Sequence, residues 1–286
     1  MHIKVENLVY EYMPGTPFEH TAVGGVSFEI NQGEFVGLIG HTGSGKSTLI
    51  QHLNGLIKPT SGKIFIDGQD ISGKDVKLHE LRFKVGIVFQ YPEYQLFEET
   101  VFADIAFGPK NMGLMGDELK KRVLDTCRLI GVKDEYLEKS PFDLSGGEKR
   151  RVAIAGVMAM RPKIIVFDEP TAGLDPKGRQ DIIKIINDYR TAYNATVIII
   201  SHSMEDMAVM ADKLIVMSKG EVVMFDKTEK VFAQGDRLRS IGLNVPIVTR
   251  VFDALRQKGI SVPDDVFTVE RAVEALKQIK AGDRNA

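Results

Sequence analysis

Apolar and polar residues alternate from Ile3 to Tyr12 and again over residues 23–30, with Pro14, Gly15 and Pro17 breaking the pattern between them. A period of two turns one side of each segment to a core and the other to solvent, which predicts two strands. A different pattern then takes over. Residues 35–39 (FVGLI), 85–89 (VGIVF), 164–167 (IIVF) and 196–200 (TVIII) are nearly continuous apolar runs, as strands read when a parallel sheet is covered on both faces. Residues 63–66 run into an Asp67-Gly68 turn, and residues 213–217 and 221–225 flank Ser218-Lys219-Gly220 as a hairpin. Between about residues 96 and 160 such runs disappear, and Leu119, Val123, Cys127 and Ile130 recur at helical spacing. Beyond Asp226 the pattern is helical again. Pro246 begins a helix with a stripe of Val248, Val251, Phe252 and Leu255 that Gly259 ends, and Thr268 caps another with a stripe of Val269, Val273, Leu276 and Ile279.

Composition narrows the class only slightly. Over 286 residues, 43% hydrophobic and 27% charged content describes an ordinary globular chain. A net charge of −2 lacks the basic excess of a nucleic-acid binder, so no nucleic-acid partner is expected. Cys127 is the only cysteine, which excludes an internal disulfide framework or a cysteine-based zinc site. No leader is expected, because His2-Ile3-Lys4-Val5 enters the first strand directly. No apolar run approaches the ~18 residues that cross a bilayer, so any membrane role is expected to go through a partner.

The chemistry begins at Gly40-His41-Thr42-Gly43-Ser44-Gly45-Lys46-Ser47-Thr48, which lies between an apolar run and a helical pattern. Strand, glycine-rich loop and helix in that order wrap backbone N–H groups around a triphosphate, with the positive end of the helix dipole aimed at the same phosphates. Lys46 is expected to reach the β- and γ-phosphates and Ser47 to ligate Mg²⁺. His41 occupies a variable position of the loop and is assigned backbone contact only. The run over residues 164–167 ends in Asp168 and Glu169; Asp168 is placed to hold Mg²⁺ through water and Glu169 to polarise the attacking water. Leu144-Ser145-Gly146-Gly147-Glu148 opens an apolar helix and makes a second anion site from N–H groups and a hydroxyl. Two phosphate-binding devices so far apart suggest a nucleotide sandwiched between two chains. His202 follows the last apolar run, at the carboxyl end of the sheet, where ligands bind in open α/β folds.

The phosphate loop, Gln90, LSGGE, the Asp168-Glu169 strand end, Ala172-Gly173-Leu174-Asp175 and His202 together resemble the ATP-binding cassette family, over about residues 1–235. The resemblance implies a P-loop NTPase core of mostly parallel sheet with an antiparallel β subdomain and an inserted helical subdomain. The expected nucleotide-binding domain is residues 1–226, with its helical subdomain at about 96–160, followed by a small α-rich domain over 227–286. It further implies ATP as substrate, with Gln90 sensing the γ-phosphate and Mg²⁺ and His202 contacting the γ-phosphate. Asp175 would cross the dimer interface, and Tyr12 would stack on adenine, with Phe18 as a second stacking candidate.

Residues 91–114, YPEYQLFEETVFADIAFGPKNMGL, and the C-terminal extension look like the ATP-binding subunits of energy-coupling-factor transporters, the cobalt-type importers, and more like the second of their two ATPases than the first. That implies an ATPase coupled to uptake of vitamins or transition-metal ions, peripheral to the cytoplasmic face of the membrane. Its partners would be a second ATP-binding subunit (a heterodimer, with a homodimer as the alternative), a membrane scaffold protein and a small substrate-binding membrane protein. Tyr91, Glu93, Tyr94, Glu98 and Glu99 would dock a basic scaffold helix. The rival reading is a soluble cassette ATPase acting on nucleic acid or ribosomes. It is disfavoured by a single cassette with no sustained heptads between the phosphate loop and LSGGE.

Overall fold

A computed structural model describes residues 2–73 and 76–282. The alternating segments form an antiparallel sheet. β1 (Ile3–Tyr12) lies between β2 (His20–Ile30) and, after the buried strand β3 (Phe35–Gly40) and helix α1 (Lys46–Leu53), β4 (Ser61–Ile66) with the short β5 (Gln69–Asp70). Helix α2 (Leu78–Lys84) leads into β6 (Val85–Val88), whose four residues are all buried. The middle of the chain is helical, as its periodicity predicts, with α3 (Val101–Asn111), α4 (Gly116–Ile130) and α5 (Gly146–Met158). On α4, Leu119, Val123, Cys127 and Ile130 all face the core.

The sheet then resumes with β7 (Ile164–Asp168), helix α6 (Pro176–Tyr193) and β8 (Thr196–Ile200). Helix α7 (Met204–Met210) precedes the hairpin of β9 (Lys213–Ser218) and β10 (Glu221–Lys227), which turns through Lys219 and Gly220 at φ 50° and 82°. Two successive left-handed residues suit the twist of a tight hairpin. The large sheet runs β10-β9-β3-β8-β7-β6, parallel throughout except for β10. Its two faces are buried in separate clusters. Phe35, Ile39, Phe167 and Ile199 pack toward the helical insertion, while Val36, Leu38, Val166 and Ile198 pack toward the antiparallel sheet. That double burial is why these strands read as continuous apolar runs.

Four helices close the described residues: α8 (Thr228–Phe232), α9 (Gly235–Ser240), α10 (Ile247–Gln257) and α11 (Val269–Gly282). Val231, Phe232, Leu238, Leu243 and Val245 join the main core, whereas Phe252, Val266, Ala272 and Ala275 form a small cluster of their own. The α11 stripe is a correction. Ala272 and Ala275 are the buried positions, while Val269, Val273 and Leu276 are exposed at 61%, 44% and 47%; the Ile279 side chain lies outside the described residues. Small alanines let the helix approach Phe252 closely, so the larger residues point away. On α10, Thr249 and Phe252 face inward and Val251 faces out. The Thr249 hydroxyl is buried because it donates to the Val266 carbonyl at 2.9 Å.

Candidate functional site

The phosphate loop is wedged between the two sheets. At Gly40 a Cβ would fall 2.4 Å from the Met217 carbonyl oxygen, and at Gly45, with φ +99°, 2.3 Å from that of Ala22. Only glycine fits either place. The Gly220 N–H donates to the Ser44 carbonyl at 3.1 Å, and the Gly220 carbonyl accepts from the Gly24 N–H at 2.9 Å, tying the loop to the hairpin and to β2. Lys46 is buried, and its Nζ donates to the carbonyls of Gly40 at 2.7 Å and His41 at 3.0 Å. Burial lowers its pKa, opposed by the charges of Glu169 and Asp168. The His41 ring turns back onto the Thr42 carbonyl at 2.8 Å.

Around this loop opens a cavity of about 430 Å³. Thr42, Gly43, Gly45, Lys46, Ser47 and Thr48 line its floor, and Tyr12, Gln90, Asp168, Glu169 and His202 line its walls. Residues from five separate stretches of sequence therefore converge on one place. Tyr12 is held by its hydroxyl, 3.3 Å from that of Thr48, and by edge-on contact with Tyr10, whose ring meets buried His52 at 4.9 Å. Phe18 is 77% exposed and takes no part in the wall. His20, Ala22 and Ile200 line the cavity too. His20 stands opposite Tyr12 in the strand register, a neighbour that sequence reasoning misses because the pairing depends on the loop between β1 and β2.

The acidic pair sits at the carboxyl end of β7. Asp168 accepts from the Ser47 hydroxyl across 3.4 Å, and burial raises its pKa. Glu169 has φ +52°, a left-handed backbone that a non-glycine residue adopts only when its surroundings hold it. Here the holding bond is its N–H to the Ile200 carbonyl at 3.0 Å. His202 Nε2 lies 3.2 Å from Glu169 Oε1 but out of line for a hydrogen bond, so this buried oxygen has no donor. Burial is the main reason that the Glu169 pKa is raised, with repulsion from Asp168 added and the attraction of His202 opposing.

The remaining motif residues stand apart from this cavity. None of Leu144, Ser145, Gly146, Gly147, Glu148 or Asp175 lines it. Ser145 opens α5, and Glu148 accepts from its N–H at 2.9 Å, from its hydroxyl at 2.6 Å and from the Tyr136 hydroxyl at 2.7 Å. Led by the Ser145 hydroxyl, these bonds hold the Glu148 carboxyl down to a pKa of about 2. Asp175 caps α6, accepting from the Gly178 N–H at 2.7 Å.

In the segment after Gln90, Tyr94 is 84% exposed and Tyr91 42%; Glu99 is exposed and Glu98 half-buried. Glu93 corrects the expectation of a free carboxylate, because both of its oxygens are taken at 3.0 Å by Arg150, itself only 3% exposed. Beside this segment an apolar groove of about 420 Å³ is lined by His79, Phe83, Leu96, Phe97, Phe107 and Met160 among others.

Comparison with known proteins agrees with this geometry. The family model described as "ABC transporter" matches residues 23–172. The energy-coupling factor transporter ATP-binding protein EcfA2 of Caldanaerobacter subterraneus subsp. tengcongensis is 53% identical over 285 residues, covering 100% of both chains. Among solved structures, cbiO1 from Clostridium perfringens, part of the ABC transporter complex cbiONQ, superposes with TM-score 0.74 at 38% identity, over 88% of this chain and 98% of that one. A dimeric ATP-binding cassette in a post-hydrolysis state with ADP and Pi gives 0.71 at 31%, over 79% and 98%. With likeness over the whole chain in sequence and over 88% of it in fold, this chain belongs to the ATP-binding cassette transporter family, among its energy-coupling factor ATP-binding proteins.

Proposed function

We propose that this chain is the ATP-hydrolysing subunit of an energy-coupling factor importer, powering uptake of a vitamin or a transition-metal ion through membrane partners. Among the described residues no helix is long and apolar enough to cross a membrane; in this reading the chain sits peripherally on the cytoplasmic face, held there by its membrane partners. ATP lies along the phosphate loop, its adenine against Tyr12. Lys46 exchanges its bonds to the Gly40 and His41 carbonyls for phosphate oxygens, and the helix dipole of α1 adds to their binding.

The observation that carries hydrolysis is Glu169, a largely buried carboxylate in the wall of the cavity that Lys46 also lines. A carboxylate so placed can accept from a water in that cavity. Glu169 orients and polarises the attacking water in line with the γ-phosphate, and its raised pKa strengthens it as a base. His202, 60% exposed, holds the water and a γ-phosphate oxygen, and Gln90 reports on the same phosphate. Ser47, Gln90 and Asp168 bring hydroxyl, amide and carboxylate oxygens, the hard donors that Mg²⁺ takes, so the donor set fits the ion. Held by these residues, the ion would supply positive charge to offset that of the phosphates.

The second ATP-binding subunit supplies LSGGE to the nucleotide held here and this chain's LSGGE serves the partner's nucleotide, a reading supported by Ser145 not lining its own chain's cavity. A heterodimer is the preferred form, and residues 227–286 form its small C-terminal extension. The scaffold docks a basic, partly apolar helix at the groove beside Phe97 and Phe107, with Tyr91, Tyr94, Glu98 and Glu99 at its border and Glu93 excluded by its pairing to Arg150. The reading is tested by Glu169→Gln in the assembled transporter. It keeps size and hydrogen bonding, so turnover should fall about 10²-fold or more with nucleotide affinity preserved. Unchanged kcat would remove Glu169 from the mechanism.

A further inference from the structure

Arg150 is buried on α5, five positions beyond Ser145, and every branch of its guanidinium is used. Nε and Nη2 fork onto the Glu93 carboxylate at 3.0 Å each, and Nη1 donates to the Ala172 carbonyl at 2.7 Å. The plane also lies over the Tyr91 ring, 5.9 Å from its centroid. Glu93 is three residues past Gln90. Ala172 is three past Glu169, bonded back to it by its N–H at 3.1 Å, and Asp175 is three further on. One side chain thus joins the helix that opens with LSGGE to the stretch after Gln90 and to the turn between Glu169 and Asp175.

We propose that Arg150 is the positioning residue that makes these three segments move as one, an inference that rests on the reading of the site given above. Arg150 touches neither the cavity nor Ser145. A buried ion pair adds little stability relative to apolar residues of similar volume, because desolvation offsets the attraction. What the fork supplies is geometry: two parallel bonds fix the angle as well as the distance, which a lysine ammonium cannot do. Tyr91, directly after Gln90, has φ +54°, a conformation maintained only under constraint, and Arg150 is part of that constraint. When the γ-phosphate shifts Gln90, Arg150 carries the shift to the signature helix and to the turn that follows the general base.

The test uses the full chain assembled with its partner ATPase and membrane subunits. Arg150→Lys keeps the charge but loses the fork. It is expected to lower kcat at least tenfold while KM for ATP stays within about twofold. The double variant Arg150→Met with Glu93→Met removes the buried charges together and is expected to restore Tm toward the parent without restoring kcat. A lysine variant with parental kcat, or a double variant that recovers kcat along with Tm, would show that the pair only packs the fold. Gln90→Ala and Glu169→Gln serve as controls. If they too leave turnover intact, the site reading fails; if they abolish turnover while Arg150→Lys does not lower it, only the coupling fails.

Discussion

At the scale of single residues, Glu169 is in tension with the fold that carries it. A carboxyl whose pKa is raised by burial favours folding when protonated. That contribution is fully present below the ordinary carboxylate pKa and is lost as pH rises through the raised one. At neutral pH the largely buried ionised carboxylate therefore lowers stability. Glu169→Gln removes the charge, so it should raise the Tm of the nucleotide-free chain by about 2 °C or more, from ~1 kcal/mol for removing one desolvated charge. Thermal unfolding at pH 7 checks this, and the gain should shrink as pH is lowered toward the ordinary carboxylate range. Because only the ionised form serves as base, kcat should climb along an acid limb centred above that range. A limb at the ordinary value would mean that burial does not tune this group.

Elements were legible wherever one face or both were decided by burial alone. Thr196–Ile200 is entirely buried and reads as a strand from its composition, and Leu119 through Ile130 reads as a helix from its spacing. The motif residues were legible because phosphate chemistry dictates their types and order, although their convergence needed the sheet. What sequence could not disclose were choices made by distant partners. Arg150 and Glu93 are 57 residues apart, and nothing local marks either as paired. On α11 the larger apolar residues suggest one face and the alanines form the other; the proximity of Phe252 decides for the alanines. The start of α5 bears its own prediction. The Ser145 hydroxyl donates a hydrogen bond to the Glu148 carboxylate, which also places a negative charge beside the site proposed for the partner's triphosphate. Glu148→Gln keeps the capping box and removes that charge. It should tighten ATP at the partner-held site about threefold to tenfold, on the order of 1 kcal/mol of relieved repulsion. Titration of chain and partner with a fluorescent nucleotide would read it, and unaltered affinity would place Glu148 away from the phosphate.

For the molecule as a whole, the exposed surfaces suggest where partners press. Phe97 and Phe107 meet edge to face at 4.9 Å, and both are open to solvent, at 59% and 44%, beside glutamates that are not used internally as Glu93 is. Glu98→Arg or Glu99→Arg should weaken co-purification with the membrane scaffold or uncouple hydrolysis from uptake, with nucleotide binding by the isolated ATPases spared. Retention of assembly and uptake by both reversals would put the scaffold elsewhere. The peptide of Gly220 has a different consequence. Its N–H holds the Ser44 carbonyl and its carbonyl holds the Gly24 N–H, so the phosphate loop is stitched to both sheets before any nucleotide arrives. Lys46 alone has to swing, and a side-chain rotation takes picoseconds to nanoseconds. Nucleotide capture should then be limited by encounter. In stopped-flow mixing the observed association rate should rise in proportion to ATP concentration without reaching a ceiling, whereas a plateau would reveal a slow rearrangement of the loop.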